Sequence, residues 1–384
     1  MPLSKGRNHV GTSNHLNTSK IAATGYGINN CFTKLVPPRC LVMHAKNKVK
    51  NFLFHRVNPV RDELWDPMDV GKFDQCVRYL SKNYLVLTLE EACDKSFSGT
   101  PDKPIATISF DDGYRDNLEY AAPILQKYGC PASFYIVTDC IDKGRMVWTQ
   151  EIKHLFQCTT LLQFNSDLSY LPEKFRVAGW KDRKQRLAYA RNIRDFLLTA
   201  NPLVRECFLN NIRLAFPDVL PLNPMMSWAE VRELHSAGFI IGSHTRTHPV
   251  LPNLENAAEI EAEMGFSGCR IQEMLGSYPI SMAYPFGAYD QKVSAAAYRT
   301  GYKYGVTSNQ QWYYSDKDSP YAISRTLLSN EPWIKTLSRM NGSFERIKEL
   351  IKGKPQHPWK SMLVATKGVK SAGVLTSEAL NSFP

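Results

Sequence analysis

The sequence alternates short apolar runs with segments whose apolar residues stand three or four positions apart, from about residue 48 to residue 328. The runs predict buried strands and the spaced segments predict helices. Strands are predicted at 51–57, 84–88, 104–110, 131–138, 239–244, 281–284 and 303–307. Helices are predicted at 70–83, 228–238, 252–275 and 290–300, and a further helix follows the turn at 111–113 and ends at 128. This repeated strand-helix order predicts a parallel sheet with right-handed crossovers.

The fold class predicted from this order is α/β, a (β/α) barrel that is either complete or incomplete. An open doubly wound sheet is the alternative. Residues about 150–224 interrupt the rhythm with a long helical stretch, which we interpret as an insertion able to cover one end of the barrel. Residues 1–47 are predicted to be a poorly ordered leader, 48–345 the barrel, and 346–384 a helix and loose tail.

Length and composition agree with one large globular domain. The 384 residues fit a single α/β barrel with insertions, and 43% hydrophobic with 22% charged residues is ordinary for a chain with a sizeable core. The formal charge of +11 suits an acidic glycan, an anionic membrane surface or nucleic acid, or is simply a basic solvated surface. Because no arginine-rich helix or nucleic-acid motif occurs, nucleic acid is not an expected partner.

Nine cysteines without a C-x-x-C pair favour reduced thiols over a disulfide framework or a zinc knuckle. The first residues lack the apolar stretch of a signal peptide, and no apolar run reaches about 18 residues. The expected location is therefore the cytoplasm, with peripheral contact to a membrane surface as an option that the basic charge would favour.

Two pairs of polar residues follow apolar strands. Asp111 and Asp112 are adjacent, and a carboxylate is costly to bury unless it is paired, hydrogen-bonded or bound to a metal. His244 and His248 are four residues apart, which places both imidazoles on one side of a turn or short helix. Taken separately, the first pair is also typical of a simple turn, and the second pair is ambiguous.

Taken together, the two pairs indicate a metal-assisted amide or ester hydrolase. Two histidines and one aspartate form a metal site with open positions for water and substrate, and a second aspartate remains to accept a proton from that water. Functional groups of parallel sheets gather at the carboxyl ends of the strands, where all four residues are predicted to lie.

The motifs resemble those of a known family. Residues 109–113, Ser-Phe-Asp-Asp-Gly, resemble the first motif of the polysaccharide deacetylases (NodB-homology domain, carbohydrate esterase family four), and residues 243–248, Ser-His-Thr-Arg-Thr-His, resemble the second. The resemblance also covers 54–57 and 284–287, whose Phe-His-Arg-Val and Tyr-Pro-Phe-Gly forms are similar to the branch associated with exopolysaccharide and surface-glycan synthesis. It implies a distorted (β/α) barrel with a metal at the strand ends.

The resemblance also implies residue roles. Asp111 would be the general base, and Asp112, His244 and His248 would bind a divalent metal, most often zinc. The backbone N–H of Phe286 would stabilise the tetrahedral oxyanion, for which a main-chain donor is sufficient.

The sequence departs from the family pattern at two places. The third motif usually carries an Arg that holds the catalytic Asp, but Ala283 stands at the matching position, so Arg325 is a candidate substitute. A surface or structural ion pair is the other interpretation of Arg325. No segment matches the motif whose His protonates the leaving amine. His55 is therefore a candidate acid or substrate contact, and a strand-end His bonded to backbone is the alternative.

The predicted function is metal-dependent removal of an N-acetyl group from a glycan or a lipid-linked amino sugar, with release of acetate. One alternative is a catalytically inactive carbohydrate-binding protein of the same fold, suggested by Ala283 and the missing acid. The other is a metal-dependent hydrolase of a non-sugar amide.

Overall fold

The structure is a computed structural model that describes residues 48–61, 66–93 and 101–344. The predicted leader at 1–47 and the predicted helix and tail at 346–384 lie outside these described residues. Within the described part, no helix is long and apolar enough to cross a membrane.

Parallel strands dominate the sheet. The strands are β1 Lys48–Phe54, β2 Leu85–Val86, β3 Ile105–Phe110, β4 Ser133–Ile136, β5 Gln163–Asn165, β6 Val177–Gly179, β7 Ile240–Ser243, β8 Ser281–Ala283, β9 Tyr304–Val306, β10 Tyr313–Tyr314 and β11 Arg325–Leu327. Strand β1 pairs in parallel with β3, which continues through β4, β7 and β8 to β9. On its other side β1 pairs in parallel with β11.

The sheet closes through the segment before β11. Val306 in β9 bridges in parallel to Ile323, and the N–H of Thr307 donates to the Ile323 carbonyl at 2.8 Å. Seven parallel strands thus form a nearly closed barrel. The predicted (β/α) barrel is confirmed, and the open doubly wound alternative is wrong, because an open sheet would leave β9 and β11 on opposite edges.

Helices connect most of the strands. They are α1 Val70–Asn83, α2 Leu89–Cys93, α3 Ala122–Lys127, α4 Thr138–Lys143, α5 Trp148–Cys158, α6 Glu173–Arg176, α7 Arg183–Leu197, α8 Pro202–Ala215, α9 Trp228–Ser236, α10 Ala257–Leu275, α11 Gln291–Arg299 and α12 Trp333–Met340. A π-helical turn at Asn117–Ala121 leads into α3, and 3-10 turns occur at Leu251–Asn253 and Pro285–Gly287.

Aromatic packing outside the barrel fixes which side chains point inward. Phe54, Phe110 and Phe134 stack across three neighbouring strands, with ring centroids 5.4 and 4.8 Å apart, and Phe73 of α1 packs on Phe54. Successive side chains of a strand point to opposite faces. The residue after Phe110, Asp111, is therefore directed into the barrel end.

The helical insertion predicted at about 150–224 lies between α4 and α9. It carries α5 to α8 and the antiparallel pair β5 and β6. Its core forms around Phe156, whose ring contacts those of Trp180, Tyr189 and Phe216 at centroid distances of 4.9 to 5.8 Å. This aromatic group is continuous with the main apolar core that packs on the barrel strands.

The boundaries of several elements differ from the predictions. Strand β1 extends over Lys48–Phe54 rather than 51–57, and β2 has two residues instead of five. Helix α10 begins at Ala257 rather than 252, because the Asn256 side chain caps it by accepting from the N–H of Glu259. The short strands β10 and β11 were not predicted, since two or three residues carry too little periodicity.

Helix α9 begins with a capping box at Ser227. Its hydroxyl accepts from the N–H of Glu230, and the Glu230 carboxylate accepts from the N–H of Ser227 at 2.6 Å. We expect Ser227→Ala to lower the free energy of unfolding by about 1 kcal/mol in urea denaturation. Ser236→Ala, at the exposed end of the same helix, is the control, and an equal loss there would contradict the capping role.

Candidate active site

The turn after β3 presents two buried carboxylates. The backbone N–H of Asp111 donates to the Phe54 carbonyl at 3.1 Å, which continues the sheet pairing by one residue. Asp112 and Gly113 then adopt left-handed backbone conformations, with φ of 79° and 90°. A left-handed aspartate costs conformational energy, so the surrounding structure holds it there.

His244 follows β7 and has a defined orientation. Its Nδ1 lies 2.8 Å from the Ala283 carbonyl oxygen, which can only accept a hydrogen bond, so Nδ1 carries the proton. The lone pair of Nε2 therefore points toward Asp112, whose Oδ1 is 3.5 Å away. This is the tautomer and orientation that a metal-binding imidazole requires.

The loop that carries His248 is held from several sides. The N–H of Thr247 donates to the Glu263 carboxylate at 2.8 Å, and Arg205 donates to the Thr247 hydroxyl at 2.8 Å. The indole N–H of Trp148 donates to the His248 carbonyl at 2.9 Å. Because Trp148 and Arg205 belong to the insertion, the insertion braces this loop.

Asp112, His244 and His248 form a cluster that could hold a metal ion. One ligand atom from each lies within 4.8 Å of the others, and all three residues are buried. The second carboxylate oxygen of Asp112 is buried and has no hydrogen-bond partner among the described residues. A buried carboxylate oxygen without a donor is costly, and a cation would satisfy it. The donor set therefore fits a divalent metal.

The protonation states agree with this role. Burial lowers the pKa of His248 well below its ordinary value and also lowers that of His244, so both imidazoles are neutral near pH 7. Burial, and next the charge of Asp111, raise the pKa of Asp112 well above its ordinary range. A bound cation would oppose that rise and keep the carboxylate ionised.

Arg325 holds Asp111 from inside the barrel. Its two Nη atoms donate to the two carboxylate oxygens of Asp111 at 2.7 Å each, and both side chains are buried. Two further hydrogen bonds hold the guanidinium, because Nε donates to the Thr307 carbonyl at 2.9 Å and Nη1 to the Ser109 hydroxyl at 3.1 Å. Burial alone would raise the pKa of Asp111, but the Arg325 charge brings it below its ordinary value.

The structure thus brings Arg325, the candidate substitute, to the Asp111 carboxylate. Ala283, at the sequence position of the family's usual arginine, contributes its carbonyl to His244. The guanidinium arrives instead from β11, which neighbours β1.

His55 and Phe286 line the same pocket as the two aspartates and two histidines, a cavity of about 370 Å³. Burial lowers the pKa of His55 to about 4 despite the nearby Asp111 charge, so its imidazole is neutral at pH 7. Phe286 has a left-handed backbone, φ 60°, and its ring lies 4.8 Å from that of His248 between centroids. All seven predicted site residues therefore meet in one place.

Sequence reasoning missed the residues that the insertion contributes. Besides Trp148 and Arg205, the insertion supplies one wall of the pocket, formed by Val147, Thr149, Gln150, Lys153, Arg194, Asp195 and Leu198. No motif marks these positions, because their partners lie in distant elements. The only available signal was the length of the insertion itself.

Comparison with known proteins agrees with this geometry. The family model described as polysaccharide deacetylase matches residues 98–170 and 175–305, more than half of the chain. The chain belongs to the polysaccharide deacetylase family. Membership places it among hydrolases that act on amide bonds, and it confirms the resemblance seen in the motifs.

Individual relatives of this polysaccharide deacetylase are distant. A putative polysaccharide deacetylase of Bacillus subtilis, YxkH, is 32% identical over 92 residues, which are 22% of this chain and 32% of that protein. Two solved structures share the fold: the Streptococcus pyogenes deacetylase PplD in complex with acetate, and IcaB from Ammonifex degensii. PplD has a TM-score of 0.51 and 17% identity, covering 76% of this chain and 97% of that one. IcaB has 0.50 and 15%, covering 77% and 97%.

The buried pair of Arg325 and Asp111 predicts a stability effect. We expect Arg325→Met to lower the free energy of unfolding by about 3 to 5 kcal/mol, because it leaves a buried carboxylate without its partner. Adding Asp111→Asn should restore part of the loss, and urea denaturation of the single and double variants measures this coupling.

Arg299→Met is the matched control. Arg299 pairs with Glu261 at 2.6 Å, but its side chain is 47% exposed, so the loss should stay within about 1 kcal/mol. Equal losses in the two arginine variants would show that the buried pair contributes no more than a surface pair.

Proposed function

We propose that this polysaccharide deacetylase hydrolyses an N-acetyl group of a carbohydrate in a metal-dependent reaction. The observation that carries the proposal is the meeting of two groups in one pocket: the cluster of Asp112, His244 and His248, and the carboxylate of Asp111 held by Arg325. A metal site beside a fixed general base is the arrangement that metal-assisted amide hydrolysis requires.

We assign the metal ligands to Asp112, His244 and His248. Three observations support this assignment: both imidazoles are neutral, Nε2 of His244 faces Asp112, and one buried oxygen of Asp112 accepts no hydrogen bond from the described residues. When bound, the cation supplies a lowered pKa for water and polarisation of the acetyl carbonyl. Zinc suits two nitrogen ligands and one oxygen ligand, so we propose zinc as the metal.

Asp111 is assigned as the general base. Its pKa lies below the ordinary value of 3.8, so the carboxylate is ionised at neutral pH and can accept a proton. The two hydrogen bonds from Arg325 fix its plane. In the balanced reaction, water adds its hydroxyl to the acetyl carbon, the C–N bond breaks, and the proton taken by Asp111 is available to the leaving nitrogen.

Phe286 is assigned as a backbone donor to the oxyanion. The left-handed conformation at Phe286 turns the chain inside a tight Pro285–Gly287 segment that faces the pocket, and the Ser308 hydroxyl donates to the Phe286 carbonyl at 3.2 Å. This anchoring orients the peptide, as electrostatic stabilisation of a developing charge requires. His55, being neutral, is better suited to a substrate hydrogen bond than to proton donation.

We also propose a substrate class and a cellular location. We propose an acetylated glycan or a lipid-linked amino sugar as substrate, in the branch that acts on exopolysaccharides and surface glycans. A cytoplasmic location is supported by seven free cysteine thiols in the described part of the chain, four of them buried. The charge of +11 favours peripheral contact with an anionic membrane surface.

The inactive carbohydrate-binding alternative loses one of its two grounds. It was motivated by Ala283 and the missing acid, and Arg325 answers the first by supplying a guanidinium to Asp111 with two hydrogen bonds of 2.7 Å. A purely binding protein would have no use for a buried charged pair beside three metal-type ligands.

Metal content tests the ligand assignment. The purified protein should hold about one zinc or other divalent ion per chain by elemental analysis. His248→Ala should lose it, while His235→Ala, on the exposed end of α9, should keep it. A wild-type protein without metal after reconstitution would contradict the proposal.

Asp111→Asn separates catalysis from metal binding. We expect unchanged metal content and a loss of acetate release of at least a hundredfold on an N-acetylated oligosaccharide, because the amide cannot accept the proton. Turnover close to that of the wild type would exclude Asp111 as the base.

Trp148→Phe tests the brace from the insertion. The variant keeps the ring but removes the donor to the His248 carbonyl, so zinc affinity should fall by roughly tenfold in a chelator competition. Trp228→Phe is the control, since its indole donates to Asp142 at 2.7 Å instead. If both variants bind zinc like the wild type, the brace has no role in metal binding.

A further inference from the structure

Exposed apolar residues are concentrated on the insertion. Of the twelve exposed large apolar side chains in the described part of the chain, seven lie between residues 161 and 222. Exposed apolar residues scattered singly need no explanation, but a local concentration marks an interaction surface. The question is which of the seven lie together.

Two neighbouring loops of the insertion bring four leucines to one edge, which we call the leucine edge: Leu161, Leu162, Leu220 and Leu222. The most exposed of these, Leu162 and Leu220, are 64% and 81% accessible. The Asp218 carboxylate joins the two loops by accepting from the N–H of Thr160 at 2.6 Å and from the Thr159 hydroxyl at 3.0 Å.

Further hydrogen bonds hold the loop backbones in place. Trp180 donates from its indole to the Leu161 carbonyl at 2.7 Å and from its backbone to the Leu162 carbonyl at 3.0 Å. The His154 ring nitrogen lies 3.2 Å from the Leu220 carbonyl oxygen. The leucine side chains therefore project from a fixed backbone rather than from a loop that can fold them inward.

Basic residues begin beside this edge, directly after Trp180, and continue along α7. Residues 181–195 contain six lysines and arginines and two aspartates. Arg186 is turned inward to the Phe156 carbonyl, and Asp182 caps the helix by accepting from the N–H of Gln185. The cations with exposed side chains are Lys181, Arg183, Lys184 and Arg191.

The edge and the pocket lie at opposite ends of the same two helices. Helix α5 begins at the pocket with Thr149 and ends before the Thr159 loop, and α7 begins beside Trp180 and ends at the pocket with Arg194. The two helices pack against each other. The 15 residues of α7 span roughly 22 Å. The basic residues of α7 therefore lie between the leucine edge and the pocket.

We propose that the leucine edge, with the exposed cations of α7, docks on an anionic lipid bilayer. Apolar side chains beside lysines and arginines are the composition of interfacial membrane contacts. A second copy would bring the same positive charge to the contact, and like charges facing each other are unfavourable. This inference rests on the proposed contact with a membrane surface and identifies the residues that make it.

Vesicle co-sedimentation of the full-length protein tests the docking. Vesicles of phosphatidylcholine mixed equally with phosphatidylglycerol should bind the protein, and vesicles of phosphatidylcholine alone should bind it much less. Leu162→Ser/Leu220→Ser should weaken binding to the mixed vesicles by at least about tenfold. The matched control is Val60→Ser/Ile334→Ser, whose side chains are 71% and 61% exposed elsewhere on the protein.

The charge contribution has its own variant pair. Lys181→Glu/Lys184→Glu should also lose about tenfold on mixed vesicles, because each basic residue near the surface adds to the attraction. Lys292→Glu/Lys303→Glu, exposed on and after α11, makes the same charge change elsewhere and should lose clearly less.

Three results would overturn the docking inference. They are no preference for anionic vesicles, equal binding by the leucine variant and its control, or a change of oligomeric state in the leucine variant without vesicle binding, which would assign the edge to a second copy. Acetate release from a soluble N-acetylated oligosaccharide should be unchanged in every variant. A leucine variant that loses vesicle binding but keeps normal turnover would support the docking and leave the proposed function untouched. A wild-type protein that binds vesicles but releases no acetate would contradict the proposed function and leave the docking untouched.

Discussion

The buried ion pair between Arg325 and Asp111 is the interaction on which both barrel and site depend. A lone charge in the barrel interior would be strongly unfavourable, and the cost falls only when the geometry and the remaining hydrogen bonds are good. Here each of the three guanidinium nitrogens has an acceptor, among the Asp111 carboxylate, the Thr307 carbonyl and the Ser109 hydroxyl. Because Arg325 stands on β11 and Asp111 directly follows β3, the pair forms only when β11 takes its place beside β1. The candidate base is therefore held in place only in the closed barrel.

The insertion completes what the barrel begins. The His248 loop contains two left-handed residues, Thr245 and His248, with φ of 66° and 59°. Such a loop needs support from outside itself, and Trp148 and Arg205 supply part of it through hydrogen bonds to His248 and Thr247. The same helices wall the pocket and extend to the leucine edge. One end of the insertion thus supports the site, and its other end exposes the proposed docking surface.

Much of this could be predicted from local sequence. The apolar spacing at 70–83 gives helix α1 with the bounds Val70–Asn83, and Ser-x-x-Glu at 227–230 gives the capping box. The acidic pair after β3 and the histidines after β7 follow strands whose carboxyl ends must meet in a parallel barrel. For these features the determining information lies within about ten residues, which is the range over which periodicity and capping act.

The sequence by itself determined the fold class, the family and the composition of the candidate site. The tertiary structure alone decided which groups Arg325 and Trp148 contact. Arg325 is separated from Asp111 by 214 positions and Trp148 from His248 by 100, and no local pattern encodes such partners. They are chosen by the order in which strands close the barrel and by the packing of the insertion. A guanidinium missing at Ala283 could therefore be replaced from another strand, because the barrel interior requires a charge at a point in space rather than at a position in the chain.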